Sequence, residues 1–272
     1  MQLSGPLVLV GAGNMGGALL KGWLDRGLAA SSVLVQDPAP PPPMAALLSK
    51  HGIHSAERFG ALATPPAVIL LAVKPQIMDA VAPTVAHLAG SGTVVLSVAA
   101  GRTMASLAQH FAPGTAIVRT IPNTPSSVGR GITVAVAGPG VTQTQRALCQ
   151  DLLEAVGSVG WVDDEQLIDS ATAVSGSGPA YVFLLAECLE AAAKSVGLPA
   201  DLARQLARET VSGAGELLRQ SDLSSAVLRQ NVTSPKGTTA AALDVLMAKG
   251  ALPDIMEQAV KAARDRAEEL AK

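Results

Sequence analysis

The chain has 272 residues, of which 49% are apolar, 15% are charged and 2% are aromatic, and its formal net charge is −2. This charge offers no basic surface for nucleic acid or an anionic membrane, and no apolar run reaches the roughly 20 residues that span a bilayer. Cys149 and Cys188 form neither a CxxC motif nor a disulfide framework, and no signal-type segment is seen, so a cytoplasmic protein is expected. No cluster of His, Cys, Asp and Glu has metal-ligand spacing, so no metal is expected. The low charge predicts that part of the surface is hidden in a subunit interface.

The first part of the chain alternates short β-type runs with helical stretches. Several of the runs are apolar throughout, as expected for parallel strands that are covered on both faces. The alternation predicts an α/β fold whose N-terminal domain, residues 1–162, is Rossmann-like and doubly wound. The predicted strands are 7–10, 33–35, 68–73, 94–98, 116–118 and 132–137, and the predicted helices are 14–27, 43–51, 76–88, 103–110 and 142–156.

After Trp161 the β-type runs stop and the chain becomes rich in Ala, Leu, Glu and Arg. This change of composition predicts an all-α C-terminal domain over residues 163–272. The predicted helices are 165–174, 179–196, 200–220, 223–230, 238–249 and 253–271.

A glycine motif follows the first predicted strand and precedes the first helix. It reads GAGNMG, with Gly11, Gly13 and Gly16 in GxGxxG spacing around Asn14 and Met15. Such glycines permit a tight turn, and the helix N-terminus offers amides to a pyrophosphate, so the motif predicts dinucleotide binding. Asp37 ends the second strand, where a carboxylate contacts the adenosine ribose and disfavours a 2′-phosphate. Asp37 therefore favours NADH, although it also suits a plain turn before Pro38.

Other strand ends carry polar or small residues that would line the same crevice, because ligands bind at the carboxyl ends of the strands in this fold. Lys74 is either a cofactor contact or a solvated loop lysine, and Asn123 is either a rigid polar contact or a turn former. The residues at these ends that would line the crevice are Ala72, Val73, Lys74, Pro75, Ala99, Ala100, Gly101 and Asn123.

The helical part lacks an obvious acid catalyst. Residues 165–190 contain no Lys, Arg or His, which counts against an alcohol–ketone reaction and favours a substrate that is already protonated, such as an iminium ion. Two hydroxyl- and glycine-rich segments, SGSGPAY and TSPKGTT, interrupt the helices instead. Each suits a helix cap, and each also suits a cradle for a small carboxylate.

These segments, together with VGAGNMG, AVKP, SVAAG and RTIPNTP, resemble the pyrroline-5-carboxylate reductase family over essentially the whole chain. The resemblance implies reduction of Δ1-pyrroline-5-carboxylate to L-proline with NADPH or NADH, the last step of proline biosynthesis. It also implies helical domains that intertwine into homodimers, which often assemble into larger rings. The implied substrate residues are Ser177, Gly178, Asn231, Ser234, Gly237, Thr238 and Thr239, and the hydroxyl of Thr239 would face the ring nitrogen as the catalytic group.

One residue departs from the family pattern. Lys236 stands where the family usually has glycine, and lysine adopts a positive φ less readily than glycine. We expect this lysine to leave activity intact. Two alternative functions stay open: a related reductase of another cyclic imine or small ketoacid, and a dinucleotide-binding sensor without turnover.

Overall fold

The structure, a computed structural model, describes residues 3–271. These residues divide into two compact units, one of residues 3–176 with residues 264–271 and the other of Ser177–Ala263. The first compact unit thus extends to Gly176, whereas the domain limits expected from the sequence, 1–162 and 163–272, stay a prediction.

An eight-stranded sheet organises the first unit, in the order β3-β2-β1-β4-β5-β6-β7-β8. All neighbouring strands are parallel except β6 and β7, which are antiparallel. The chain thus runs outward from β1 in both directions, which is the doubly wound arrangement. The strands are β1 (Leu7–Val10), β2 (Val33–Gln36), β3 (His54–Ala56), β4 (Val68–Leu71), β5 (Val94–Ser97), β6 (Ala116–Ile121), β7 (Gly131–Ala137) and β8 (Gly157–Val162).

Helices lie between these strands, and one further helix follows β8 and ends in a π-helical turn, Thr172–Gly176. Short 3₁₀ turns are Ala30–Ser32, Pro75–Ile77, Thr124–Val128 and Glu154–Val156. The helices are α1 (Asn14–Asp25), α2 (Pro42–His51), α3 (Met78–Val81), α4 (Pro83–Ala86), α5 (Met104–Ala108), α6 (Gln143–Leu153) and α7 (Leu167–Ala171).

The two faces of the sheet carry separate hydrophobic cores. Successive side chains of a strand point to opposite faces, so Leu7 and Leu9 of β1 pack in one core, with Trp23 of α1. Val8 and Val10 pack in the other, which includes Met78 of α3. All four β1 residues are buried, which explains why this strand is apolar throughout.

The sheet differs from the sequence-based expectation in two edge strands. β3 and β8 lie at the two edges of the sheet and were not predicted. β3 has three residues and a largely exposed sequence, HSA, and β8 contains two glycines, so neither shows a strand pattern. The predicted strand 132–137 forms as β7, but it runs antiparallel to β6.

The predicted helix 76–88 is broken into three pieces. Pro75 begins a 3₁₀ turn, and Pro83 separates α3 from α4. Proline lacks the N–H that a continuous helix requires and clashes with the preceding turn, so the stretch cannot form one uninterrupted α-helix.

The second unit is helical, and α8 packs against α9 in it. Within residues 177–263 only Ala203 and Ala207 are buried. In residues 3–271, no helix has both the length and the apolar character that a membrane crossing requires. The helices are α8 (Gly178–Ser195), α9 (Ala200–Gln220), α10 (Ser225–Asn231), α11 (Thr238–Leu246) and α12 (Leu252–Leu270), whose last residues belong to the first unit.

Candidate active site

The glycine loop (residues 11–16) joins β1 to α1 and is packed tightly against its neighbours. Gly11 has φ +91°, and an added Cβ would lie 2.9 Å from Val73 Cγ1. At Gly16 an added Cβ would overlap the carbonyl oxygen of Gly11. These two positions therefore require glycine. Gly13 is different, because no atom lies within 4 Å of an added Cβ, so this side of the loop is open to a ligand.

The N-terminus of α1 offers free hydrogen-bond donors beside that opening. The first helical bond runs from the Gly17 N–H to the Gly13 carbonyl at 2.7 Å, so the N–H groups of Asn14, Met15 and Gly16 precede it. Gly13 is the N-cap without a side-chain cap, and the first turn contains no acidic residue. An anion is therefore favoured at this helix end, and the geometry fits a dinucleotide pyrophosphate.

Asp37 directly follows β2 and is tied to the glycine loop. Its Oδ2 accepts a hydrogen bond from the Ala12 N–H at 2.7 Å, and its Oδ1 accepts one from the Ala39 N–H at 2.9 Å. These bonds hold the carboxylate at the carboxyl end of β2 in a fixed orientation. Each carboxylate oxygen can accept a further hydrogen bond, so the bonding to the loop is compatible with a ribose contact.

A cavity of about 360 Å³ lies beside this loop and contains residues that the sequence interpretation missed. Gly11 and Asp37 line it, and so do Gln36, Glu57 and Arg58. Arg58 brings a guanidinium into the same pocket as the Asp37 carboxylate. It follows β3, and because that strand was not predicted, no sequence signal placed Arg58 near the end of β2.

The other predicted cofactor residues also lie at the carboxyl ends of strands. They follow β4, β5 and β6, and the carboxyl ends of these parallel strands meet at one edge with those of β1 and β2. Lys74 is exposed, Ala99 is buried, and Gly101 has φ +69°. The predicted cofactor residues therefore all lie near the carboxyl ends of the parallel strands. They are Gly11, Gly13, Asn14, Met15, Gly16, Asp37, Ala72, Val73, Lys74, Pro75, Ala99, Ala100, Gly101 and Asn123.

Arg102 follows Gly101 and forms an ion pair with Asp79. The Arg102 guanidinium donates to both carboxylate oxygens of Asp79, and His110 Nε2 lies 2.9 Å from Asp79 Oδ1. The hydrogen bonds from Arg102 and His110 hold the pKa of the Asp79 carboxyl below its usual range. Arg102 is therefore engaged with Asp79 at this loop.

Asn123 follows β6 and uses both ends of its side-chain amide. Its Oδ1 accepts a hydrogen bond from the Ile132 N–H at 3.0 Å, and its Nδ2 donates to the Ser175 carbonyl at 3.1 Å. The predicted cofactor role of Asn123 stays a prediction. The connection to the π-turn was not predicted, because nothing local in the sequence relates residues 123 and 175.

The hydroxyl loop (residues 234–239) leads into α11 in the second unit. Its turn is closed by the Gly237 N–H, which donates to the Ser234 carbonyl at 3.0 Å. The hydroxyls of Ser234, Thr238 and Thr239 have no hydrogen-bond partner within residues 3–271. Gly237 is the N-cap of α11 without a side-chain cap, and the first turn contains no acidic residue. Free hydroxyls and free amides thus meet at one helix end.

Lys236 adopts the left-handed conformation with φ 58°, the only positive φ outside glycine among the described residues. This conformation costs an L-residue about 1–2 kcal/mol relative to the right-handed one. The lysine is exposed, so its ammonium is solvated. The loop therefore retains a turn geometry that glycine would adopt at lower cost.

The remaining predicted substrate residues lie in two other places of the second unit. Ser177 precedes α8 and Gly178 begins it, directly after the π-turn. Asn231 is the last residue of α10, a short distance along the chain from the hydroxyl loop. Among residues 3–271, no group of three or more His, Cys, Asp and Glu side chains is arranged to hold a metal ion.

Known proteins are similar to this chain along nearly its whole length. Residues 165–270 match the family model described as pyrroline-5-carboxylate reductase dimerisation. The pyrroline-5-carboxylate reductase of Pseudomonas aeruginosa is 37% identical over 265 residues, which cover 97% of this chain and 96% of that protein. The chain belongs to the pyrroline-5-carboxylate reductase family. The resemblance stated from the sequence is therefore confirmed.

Solved structures of the family have the same fold. The pyrroline-5-carboxylate reductase from Coxiella burnetii superposes with a TM-score of 0.91 at 35% identity, and the match covers 99% of both chains. The Plasmodium falciparum enzyme, solved with NADP bound, has a TM-score of 0.80 at 27% identity and 99% coverage of both chains. Residues 6–101 match the model described as NADP oxidoreductase coenzyme F420-dependent. The α/β fold with a helical second part and the class of NAD(P)H-dependent oxidoreductase are thus confirmed.

Proposed function

We propose that this protein transfers hydride from NADPH or NADH to the C=N bond of Δ1-pyrroline-5-carboxylate and releases L-proline. The proposal rests on the donors that the hydroxyl loop offers. Its hydroxyls are unpaired within the described chain, and the amides at the start of α11 are uncapped. A small carboxylate with an adjacent ring nitrogen fits this set of donors.

The glycine loop holds the dinucleotide in this proposal. The N–H groups of Asn14 and Met15 bind the pyrophosphate, with Gly13 leaving room for it. Asp37 binds the adenosine ribose. The loops after β4 and β5, which carry Pro75 and Gly101, flank the nicotinamide ribose and the nicotinamide.

The hydroxyl loop holds the substrate. Ser234, Gly237 and Thr238 surround the carboxylate with hydroxyls and backbone amides, which are strong donors to an anion. Asn231 and the Ser177–Gly178 turn complete the substrate contacts in this proposal. The Thr239 hydroxyl faces the ring nitrogen and accepts a hydrogen bond from the protonated imine, which fixes the orientation of the imine carbon.

The bound cofactor supplies the hydride, and the chain supplies orientation. The substrate is an iminium ion, so its ring nitrogen already carries the proton that the product keeps. Hydride addition neutralises the nitrogen, and no protein acid has to deliver a proton. The absence of Lys, Arg and His from residues 165–190 is consistent with such a reaction.

Removing the Thr239 hydroxyl tests this assignment. Thr239→Val keeps the shape of the side chain, and we expect kcat/KM for pyrroline-5-carboxylate to fall by about 10- to 100-fold, since hydrogen bonds to charged groups contribute about 1.5–3 kcal/mol. The matched control is Thr233→Val, because the Thr233 hydroxyl already donates to the Arg229 carbonyl at 2.7 Å. NAD(P)H oxidation is measured with pyrroline-5-carboxylate, a six-membered cyclic imine and a 2-ketoacid.

Each outcome of this assay decides between the alternatives. Oxidation with the five-membered imine in preference to the others supports the proposal. Preference for the six-membered imine or the ketoacid supports a related reductase. Cofactor binding without any oxidation supports the sensor. Equal activity of Thr239→Val and the wild type would remove Thr239 from the mechanism.

The pocket beside the glycine loop determines the cofactor preference in this account. Asp37 repels a 2′-phosphate and Arg58 attracts it, and both line the same cavity. We expect Asp37→Ser to lower the KM for NADPH and raise it for NADH, and Arg58→Ala to raise the KM for NADPH alone. A parallel change for both cofactors in both variants would show that these residues do not read the phosphate.

We also propose that the protein is an intertwined homodimer that assembles into a larger ring and works in the cytoplasm. The matched dimerisation region supports the dimer, and so does the apolar surface of α8, where Phe183 is 62% and Leu184 is 57% exposed. The free thiols of Cys149 and Cys188 suit a reducing compartment. Light scattering of the purified protein measures the number of subunits.

A further inference from the structure

The π-turn, Thr172–Gly176, is an unusual piece of backbone that directly precedes Ser177 and Gly178. π-helical segments are rare, occur mostly as single turns, and are frequently found at functional sites. Two hydroxyls of the turn bond back to the preceding helix. Thr172 Oγ1 donates to the Ile168 carbonyl at 2.7 Å, and Ser175 Oγ donates to the Ala171 carbonyl at 2.9 Å.

A third support comes from the end of β6. Asn123 Nδ2 donates to the Ser175 carbonyl, and Asn123 Oδ1 accepts from the Ile132 N–H. A carbonyl can only accept and an N–H can only donate, so these two partners fix the orientation of the amide. Asn123 is 8% exposed, so water competes little for either bond.

The side chain of Asn123 does not cap the turn that this residue begins. Asn123 is the N-cap of the 3₁₀ turn Thr124–Val128, a place where an asparagine side chain ordinarily caps the turn that it begins. Its side chain makes no capping bond there. The amide is instead committed to a contact with residue 175, which is distant in sequence.

The segment before the π-turn is anchored separately. Arg119 of β6 is 2% exposed, and its guanidinium donates to Glu165 at 2.9 Å and to Asp169 at 3.1 Å. Arg119 thus fixes the beginning of the segment, before and within α7, and Asn123 fixes its end. Loss of the Asn123 bond would release only the end that continues into Ser177.

We propose that Asn123 is a positioning residue, which sets the geometry of the π-turn and thereby of Ser177 and Gly178, and so governs substrate affinity rather than cofactor affinity. This inference rests on the proposed function of Ser177 and Gly178 as substrate contacts. Asn123 has no direct part in hydride transfer here. Its contribution is to keep the Ser175 carbonyl in place, at the residue two positions before Ser177.

Asn123→Asp tests the proposal with a nearly isosteric change. The aspartate can still accept from the Ile132 N–H, but it places a carboxylate oxygen against the Ser175 carbonyl. We expect the KM for pyrroline-5-carboxylate to rise about tenfold, because a buried acceptor loses its donor, while the Kd for NAD(P)H measured by calorimetry is unchanged. The control is Thr93→Val, next to the start of β5. The buried Thr93 hydroxyl accepts from the Gly90 N–H and donates to the Pro66 carbonyl, so this variant also removes two buried hydrogen bonds. The control is expected to leave both constants unchanged.

A pH profile separates positioning from a general loss of stability. A protonated aspartic acid can donate to the Ser175 carbonyl again, so the KM of Asn123→Asp relative to that of Asn123→Ala should fall as the pH is lowered. Hydrogen exchange of the amides of residues 172–178 should be faster in Asn123→Asp than in wild type, and unchanged in Thr93→Val. If the Asn123 variants do not fold, Ser175→Ala and Thr172→Val, which loosen the same turn, are expected to raise the same KM.

Three results would overturn the proposal. A weaker Kd for NAD(P)H with an unchanged substrate KM would make Asn123 a cofactor ligand. An unchanged KM in the folded variants, or exchange rates equal to those of wild type, would leave the turn independent of Asn123. Failure of the proposed function is distinct, because the wild-type protein itself would then not oxidise NAD(P)H with pyrroline-5-carboxylate.

Discussion

The glycine loop and the hydroxyl loop both lead into a helix whose first amides are free, yet they are built in different ways. The glycine loop is wedged against the sheet, and added side-chain atoms at Gly11 or Gly16 would meet backbone. The hydroxyl loop is largely exposed, and its turn contains Lys236 in the left-handed conformation. One loop is shaped by packing, and the other tolerates a residue that its backbone does not favour.

This difference indicates how each loop would recognise its ligand. The glycine loop would bind the pyrophosphate through backbone N–H groups, so its specificity depends on a rigid backbone. The hydroxyl loop presents the side chains of Ser234, Thr238 and Thr239 as well as amides. Substitutions at Gly11 and Gly16 should therefore reduce stability, whereas substitutions in the hydroxyl loop should affect mainly substrate binding.

The largest expected effect lies in the glycine loop. In Gly16→Ala the new methyl group overlaps the Gly11 carbonyl, and we expect a loss of about 3 kcal/mol in the free energy of unfolding, measured by urea denaturation. Gly13→Ala is the matched control, because its methyl group meets nothing within 4 Å. It should change stability by less than about 0.5 kcal/mol but weaken NAD(P)H binding. Equal stability of the two variants would contradict the packing argument.

An intermediate effect is expected in the hydroxyl loop. An added Cβ at Gly237 would overlap Ser234 Oγ, while the φ of −81° is open to any residue. Gly237→Ala should therefore displace the Ser234 hydroxyl and raise the substrate KM about tenfold, with little change in stability. Gly213→Ala on α9 has open space around its Cβ and serves as the control. If Gly237→Ala lost stability and kept its substrate KM, packing would shape the hydroxyl loop as it shapes the glycine loop.

The smallest effect concerns Lys236. Lys236→Gly removes the left-handed strain, and Lys236→Ala keeps the strain but removes the ammonium. We expect the glycine variant to be about 1 kcal/mol more stable than the alanine variant, with the same substrate KM as wild type in both. A large rise of KM in both variants would show that the ammonium binds the substrate carboxylate.

Much of the fold could be predicted because local patterns and packing agree. The buried strand LVLV followed by GAGNMG specifies the strand, the turn and the helix start within a few residues. β3 and β8 could not be predicted in this way. Both form by pairing with a neighbour at the sheet edge, and their sequences carry little strand preference of their own.

In the candidate site, too, local motifs could be predicted, whereas contacts between distant residues could not. The residues of the glycine loop are adjacent in sequence, and so are those of the hydroxyl loop, so a local motif predicts each set. Arg58 was missed because it lines the cavity beside the glycine loop through the pairing of β3 with β2, which no motif reports. The bond from Asn123 to Ser175 was missed for the same reason, since it joins residues that only the fold brings together.

Hydride transfer to the imine carbon of pyrroline-5-carboxylate is tested with NADH or NADPH that is deuterated at the transferred position. The position of the deuterium in the product is then determined. We predict one deuterium at Cδ of proline, the former imine carbon, for each cofactor oxidised. Unlabelled proline, or no cofactor oxidation with this substrate, would contradict the account.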